Sequence, residues 1–126
     1  MTGPAKQLDQ LGREAILAIP DIKREVVQIP EWGGAVTVQG LTGDERDDFE
    51  ATCVKGRGKK TEVNLRNFRA KLVARSCIQE DGSRLFSDDD AAALGKKSGA
   101  AINRVFEVAS RLSGLTDEDL EELAKN

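Results

Sequence analysis

The side chains that could do chemistry in this chain are its carboxylates and its two cysteines. The 126 residues include 22 Asp and Glu and 2 Cys, but no His. His is the commonest general base near neutral pH and the commonest protein ligand of zinc. Its absence removes the Ser-His and Cys-His dyads, so the composition argues against a hydrolytic or zinc enzyme.

The densest acidic cluster is the triplet Asp88, Asp89 and Asp90, which directly follows Ser87. Calcium loops place oxygen ligands at alternating positions around an obligate Gly. Three consecutive Asp on the first turn of a helix point in different directions, and there they complement the positive end of the helix dipole. Every acidic cluster of the chain stands at a predicted helix start. We therefore predict no metal, no cofactor and no enzymatic activity.

Cys53 and Cys77 lie 24 residues apart, a spacing that matches neither a zinc knuckle nor a CxxC redox motif. Each is surrounded by apolar residues in a helix-like segment. Two interpretations stay open, a pair of buried free thiols and a disulfide. The apolar surroundings favour buried thiols, which behave as small hydrophobic side chains.

Charge is distributed unevenly along the chain. Residues 55–75 contain eight basic and one acidic residue, whereas 1–54 and 76–126 each carry a net charge of −5, giving −3 overall. The run KGRGKK lacks the spacing of a phosphate-binding loop. The basic segment has three interpretations: a solvated loop with a salt-bridging helix, a docking surface for an acidic partner, and a nucleic-acid site. Net acidity and the lack of interleaved aromatics disfavour nucleic acid.

The sequence pattern predicts an α+β, mainly α fold. Residues 21–39 read as a β-hairpin turning at Glu31-Trp32-Gly33-Gly34, and a small bundle of about four to five helices follows. A second short hairpin is expected near residues 78–86, around Asp81-Gly82. Helices are predicted over residues 5–18, 43–54, 62–78, 87–97, 101–112 and 116–124. The first has Leu8, Leu11 and Ala15 at helical spacing, and the helix at 101–112 has a full apolar face: Ile102, Val105, Phe106, Ala109 and Leu112. Thr42 with Glu45, and Ser87 before the three Asp, are capping signals. We expect two parts, an N-terminal helix or arm (1–20) and a single domain (21–126).

Three apolar residues are candidates for binding a partner protein: Trp32, Leu120 and Leu123. Trp32, the only Trp, stands at the hairpin turn. It could present a binding hot spot there, but packing onto a helix is the favoured interpretation. Leu120 and Leu123 belong to a short acidic helix whose Leu115 and Leu120 are spaced as a hydrophobic staple. Their alternative role is ordinary docking on the helix at 101–112.

The order of these parts resembles the tail assembly chaperones of long-tailed bacteriophages and related prophages. The resemblance rests on three blocks in order, REVVQIPEWGGAVTVQGLTGDERDDFEA, RAKLVARSCIQEDGSRLFSDDDAAALGKKS and AINRVFEVASRLSGLTDEDLEELAKN. Together they cover roughly residues 21–126. Each block is ordinary turn and cap chemistry, and their succession is what is specific. The run KGRGKKTEVN departs from the family pattern and is typical of a variable loop.

The resemblance implies a non-enzymatic role in virion assembly. Such chaperones associate with the tape measure protein, a long and largely helical polypeptide, keep it soluble and help recruit tail tube proteins around it. They act in the bacterial host cytoplasm and are not retained in the mature virion. Such genes often make a longer product by ribosomal frameshifting, and this chain would be the short product. Partners implied are thus the tape measure protein and, through the longer product, the tail tube protein. Self-association of the chain is a separate expectation.

Apolar strips on the helical part, with Leu120, Leu123 and Trp32, are expected to cover apolar faces of the tape measure protein. The acidic ends would supply solubility. No signal peptide and no membrane-spanning run is recognisable, so we expect a soluble cytoplasmic protein without a membrane partner. The competing class is a small regulatory or nucleic-acid-associated protein that uses residues 55–75.

Overall fold

The computed structural model describes residues 7–55, 62–63 and 67–124, of which 54, 55, 62, 63, 123 and 124 are described by their backbone alone. These residues form six helices and five short strands, numbered here in chain order. The helices are α1 (Arg13–Ala18), α2 (Gly43–Ala51), α3 (Phe68–Ser76), α4 (Ala91–Leu94), α5 (Gly99–Leu112) and α6 (Asp117–Ala124). The strands are β1 (Arg24–Ile29), β2 (Gly34–Gln39), β3 (Val54–Lys55), β4 (Glu62–Val63) and β5 (Cys77–Ile78).

The main sheet has three antiparallel strands in the order β1-β2-β5. The hairpin β1–β2 pairs Val27 with Val36, and β5 joins by pairing Cys77 with Val38. Because side chains alternate along a strand, one face of the sheet carries the buried apolar residues and the other carries exposed ones. β3 and β4 pair as a separate two-stranded ribbon.

The core lies between the inner face of the sheet and the helices. α5 contacts α3, β1 and β2, and its buried side includes Ile102, Val105, Phe106 and Ala109. This is the periodic apolar face that the sequence predicts for residues 101–112. Phe68 joins α2 to α5, since its ring centroid lies 5.4 Å from that of Phe49 and 5.7 Å from that of Phe106.

The predicted α+β, mainly α fold is confirmed, including the N-terminal hairpin. Thr42 and Glu45 form the expected capping box at the start of α2. Ser87 and Asp90 form another before the 3₁₀ turn Asp88–Asp90 that leads into α4. Cys53 and Cys77 are both buried and free, as the favoured interpretation held, so no disulfide joins them.

The helix predicted over 62–78 is wrong at both ends. Asn67 has a left-handed backbone with φ of 58°, a conformation that a right-handed helix does not contain, so α3 begins only at Phe68. Glu62–Val63 is strand β4. At the other end Cys77–Ile78 is extended because it completes the sheet against Thr37 and Val38. This non-local pairing overrides the helical spacing of the apolar residues.

Three other helix predictions are too long. The helix predicted over 87–97 is observed as the 3₁₀ turn Asp88–Asp90 followed by α4, which ends at Leu94. The helix predicted over 5–18 is observed only over Arg13–Ala18, with Gly12 at its N-cap, and residues 5 and 6 lie outside the described part. Gly has a high conformational entropy cost in a helix, which accounts for the break. The helix predicted over 43–54 ends at Ala51, and Val54–Lys55 belongs to β3.

The second short hairpin is confirmed near residues 78–86. The Gln79 N–H donates to the Ser83 carbonyl at 2.8 Å, and Ile78 forms an antiparallel bridge with Arg84. Gly82 takes φ of 88° in the turn, a conformation open to Gly without steric cost. This hairpin adds residues 83–85 to the outer edge of β5.

Candidate binding surface

Trp32 lies at the end of a short 3₁₀ turn, Pro30–Trp32, that connects β1 to β2. Gly33 follows with φ of 71°, which lets the chain reverse into β2. The Trp32 side chain is half-buried and packs against the core. The structure thus places it against the domain, as the favoured interpretation expects, with only part of the indole open to a partner.

An ion pair attaches this turn to α5. Arg104 donates from Nε and from its terminal nitrogen to the Glu31 carboxylate, at 2.9 and 3.1 Å. The hydrogen bonds from Arg104 lower the pKa of Glu31, and the same contact raises the pKa of Arg104. Because the fork geometry fixes direction as well as distance, the turn at Trp32 is oriented on the helix.

The C-terminal helix is also attached to the domain. Thr116 and Asp119 form a capping box, with Asp119 accepting from the Thr116 N–H at 2.9 Å and Thr116 Oγ1 accepting from the Asp119 N–H at 3.1 Å. The hydrogen bond from the Thr116 N–H, followed by the Thr116 hydroxyl, lowers the pKa of the Asp119 carboxyl. Arg46 of α2 lies 3.3 Å from the same carboxylate. α6 is therefore joined to α2 by charge, and its Leu120 packs against the core.

The two leucines predicted to bind a partner differ in what the structure says of them. Leu115 is buried and Leu120 is half-buried against the core, the arrangement of a hydrophobic staple. Leu123 lies on α6, and its side chain is outside the described part. Trp32 and Leu120 are therefore mostly occupied by the domain, and partner binding by all three residues stays a prediction.

The described part of the basic segment is engaged within the domain. Lys71 Nζ donates to the Thr52 carbonyl at 3.1 Å, and Arg75 pairs with Asp88 at 3.1 Å. Arg69 lies 5.4 Å from the centre of the Phe106 ring, a cation–π distance. Residues 56–61 and 64–66 lie outside the described part. Arg75 therefore forms a salt bridge of the kind expected for this helix, and Lys71 and Arg69 contact other parts of the domain.

The acidic triplet acts as predicted for a helix start. Asp88 accepts from Arg75 and Arg84, and Asp90 accepts from the Ser87 N–H. Among the residues that the structure describes, no three Asp, Glu or Cys are grouped as metal ligands. None of the described helices has the length and apolarity needed to cross a membrane.

An open depression of about 420 Å³ separates the start of α3 from the connection between α4 and α5. Its lining includes Phe68, Arg69, Lys97 and Ile102. These residues can supply apolar contact and positive charge. Neither a carboxylate nor a thiol is among its described lining residues.

Among the described residues, the largest run of exposed apolar side chains lies before the hairpin, in residues 7–23. From here on, the arm means these residues, which overlap the N-terminal part predicted over 1–20. α1 within it has no buried residue. Leu8 is 87% exposed and Leu17 is 68% exposed. The exposed apolar residues of the arm are Leu8, Leu11, Ile16, Leu17, Ile19 and Ile22.

The exposed apolar side chains of the arm are concentrated in one short segment. Single exposed apolar residues are normal on soluble proteins, but concentrated ones mark interaction sites. The arm carries two basic residues, Arg13 and Lys23, and three acidic ones, Asp9, Glu14 and Asp21, so its charge is nearly balanced. The arm therefore offers apolar contact to a partner without a strong preference for the sign of the partner's charge.

The sequence pattern does not single out the arm as a candidate binding surface. Leu8, Leu11 and Ala15 stand at helical spacing, which predicts a helix rather than an exposed run. The available signal was the break at Gly12 and Pro20, which leaves each piece too short to dock as a helix. Six large apolar residues outside any element that could bury them indicate an intermolecular role.

Comparison with known proteins gives one family. A family model described as phage tail assembly chaperone matches residues 13–126. The match includes the hairpin, the three capping boxes and the C-terminal helix, and it begins within the arm at α1. No curated protein and no solved structure matches the chain.

Proposed function

The chain belongs to the phage tail assembly chaperone family, and from this premise we propose that it is a non-enzymatic chaperone of the tape measure protein. It binds apolar stretches of that long, largely helical polypeptide and keeps it soluble until the tail tube proteins assemble around it. It works in the host cytoplasm and leaves before the virion matures. Recruitment of tube proteins falls to a longer, frameshifted product that shares this domain.

The observation that carries the proposal is the exposed apolar arm. An unassembled helical partner exposes apolar faces to water, and covering them removes the surface that drives aggregation. The arm has six large apolar side chains available for this, whereas the apolar faces of α3 and α5 are occupied by the core. We therefore propose the arm as the principal contact with the tape measure protein.

Trp32, Leu120 and Leu123 are proposed as secondary contacts. Trp32 and Leu120 are half-buried, so each can add only its exposed part to an interface. α6 contributes in another way, because its acidic residues Asp117, Glu118, Glu121 and Glu122 keep the complex soluble. The arm would cover the partner while the acidic helix faces water.

Co-expression tests the proposal directly. A tape measure fragment that is insoluble alone is expressed with the full chain and with the double variant Leu8→Ser, Leu17→Ser. Both side chains are largely exposed and belong to no part of the core, so the variant is expected to fold normally. We expect it to lose most of the soluble fragment that the unaltered chain recovers.

The matched control is Leu85→Ser, which changes an exposed leucine outside the arm, 42% exposed. It is expected to recover the fragment as well as the unaltered chain. A truncation after Gly114 separates the secondary site from the arm. If the arm variant keeps the fragment soluble and the truncation does not, the tape measure protein binds the C-terminal helix and the arm proposal is wrong.

A further inference from the structure

The two edges of the main sheet differ. Beyond β5, residues 83–85 continue the hydrogen bonding, with Leu85 N–H donating to the Cys77 carbonyl at 2.9 Å and Gln79 N–H to the Ser83 carbonyl at 2.8 Å. Beyond β1, no described residue pairs with the sheet. An unpaired edge is a template for pairing with another chain.

The register identifies which groups of β1 face this open edge. The Gly40 N–H donates to the Lys23 carbonyl at 3.0 Å, so Lys23 directs its backbone groups toward β2. In an antiparallel pair this direction alternates along the strand. The N–H and C=O groups of Arg24, Val26 and Gln28 therefore point away from β2, into the open edge.

Val26 is the apolar residue at the centre of this edge. Its side chain is 62% exposed and lies on the outer face of the sheet, away from the helices. Natural proteins commonly protect an open edge with Lys, Pro, a bulge or an inward-pointing charge. The only charge of β1 on the inner face, Glu25, is neutralised by Arg111 of α5 at 2.7 Å.

We propose that β1 pairs antiparallel with β1 of a second copy, about a two-fold axis at Val26, so that two three-stranded sheets become one. This surface is distinct from the arm, so the inference holds whether or not the arm binds the tape measure protein. A two-fold interface must be self-complementary, and this condition selects the register.

The other registers of such a pairing carry a penalty. A two-fold axis at Arg24 places the Arg24 residues of the two copies opposite each other, and an axis at Glu25 does so for the two Glu25 residues. Like charges directly opposite each other are destabilising. Axes at residues 27 and 28 bring Pro30 opposite the edge of the other copy. Pro30 has no N–H to donate.

An axis at Val26 avoids both penalties. Val26 then faces Val26 of the other copy and exchanges both backbone hydrogen bonds with it. Arg24 stands opposite Gln28, and Glu25 opposite Val27, so no like charges meet. Pairing of five residues from each copy, 24–28, makes a small interface, at the weak end of the known range. We expect reversible dimers that form with rising concentration.

Charge pairing at the axis provides the test. In Val26→Lys and Val26→Glu, the same charge meets itself across the axis, so each variant alone is expected to stay monomeric in sedimentation velocity at concentrations where the unaltered chain dimerises. Mixed in equal amounts, the two place Lys opposite Glu and are expected to recover the dimer. Only a contact of residue 26 with residue 26 predicts this recovery.

The control is Leu85→Lys, which introduces the same charge at the other edge of the sheet, beside β5. This variant is expected to dimerise as the unaltered chain does. Amide hydrogen exchange gives a second measurement, since the Val26 amide should become protected as concentration rises. A chain that is monomeric at all attainable concentrations would overturn the inference. So would a dimer that survives Val26→Lys, or one that the mixture of variants does not restore.

Discussion

The arm and α5 contain similar residues and use them in opposite ways. α5 buries Ile102, Val105 and Phe106 in the core, whereas Leu8 and Leu17 of the arm remain largely in water. Both segments are rich in large apolar side chains. The difference lies in continuity, because α5 presents its apolar residues on one face of a 14-residue helix, while the arm contains only the six-residue α1.

The domain thus places the apolar residues that stabilise its fold and the apolar residues available for binding in different segments. A helix with a continuous apolar face, such as α5, packs that face against the rest of the domain and forms the core. A segment whose helix is interrupted, such as the arm, does not pack in this way, and its apolar surface stays available to another molecule. Changes in the core should therefore alter folding, and changes in the arm should alter binding alone.

The largest effect on stability is expected from Phe49→Ala. Phe49 is completely buried and contacts the Phe68 ring, and Phe→Ala in a core costs about 3–5 kcal/mol. The matched change in the arm, Leu17→Ala, should alter the free energy of unfolding by less than about 0.5 kcal/mol, as is usual for surface substitutions. Urea denaturation measures both. A large loss with Leu17→Ala would mean that the arm packs on the domain.

A smaller effect is expected where the sheet meets the end of α5. A Cβ at Gly40 would overlap the carbonyl oxygen of Leu112, so Gly40→Ala forces the backbones apart and should cost about 1–3 kcal/mol. Gly43→Ala is the control, since a Cβ there meets open space. Equal thermal shifts for the two variants would show that the close approach at Gly40 does not constrain the fold.

Two buried serines of α5 and its C-terminal end should differ in their effect on stability. Ser113 Oγ accepts from the Leu41 N–H at 2.9 Å, so Ser113→Ala leaves a buried donor unpaired and should cost about 1–3 kcal/mol. Ser110 Oγ has no hydrogen-bond partner among the described residues. Ser110→Ala should therefore be neutral or slightly stabilising. The reverse order of the two in urea denaturation would contradict the assigned hydrogen bond.

The smallest effect at neutral pH concerns Cys77. Burial raises the pKa of its thiol to about 12, whereas the unfolded thiol titrates near its ordinary value of about 8.5. The protonated thiol is thus favoured by the native state, and its contribution to stability is complete below about pH 8.5. That contribution is lost as pH rises toward 12. Measuring the free energy of unfolding of Cys77→Ala and of the unaltered chain between pH 8 and 10 isolates the contribution of the thiol. Identical slopes of this free energy against pH would contradict the raised pKa of Cys77.

Local signals in the sequence were enough for much of the fold. The capping pairs Thr42–Glu45 and Ser87–Asp90 fixed two helix starts, because each cap is made by residues three apart. The glycines after Trp32 indicated the hairpin turn. The apolar spacing of residues 101–112 indicated both the helix and its buried face.

Long-range contacts account for what the sequence could not predict. Cys77 and Ile78 fit a helical pattern, but pairing with β2, some 40 residues earlier in the chain, makes them a strand. The ion pair of Glu31 with Arg104 joins residues 73 apart. The exposure of the arm was not predicted for the same reason, since only the fold reveals that nothing in the described domain covers its apolar side chains.

The central claim is that the arm binds the tape measure protein, and amide hydrogen exchange on the purified complex tests it most directly. Exchange is compared for the chain alone and the chain bound to a tape measure fragment. The account predicts new protection over residues 8–22, with exchange in α5 little changed because its amides are already protected. Protection confined to α6 and the turn at Trp32, with the arm exchanging freely in the complex, would contradict it.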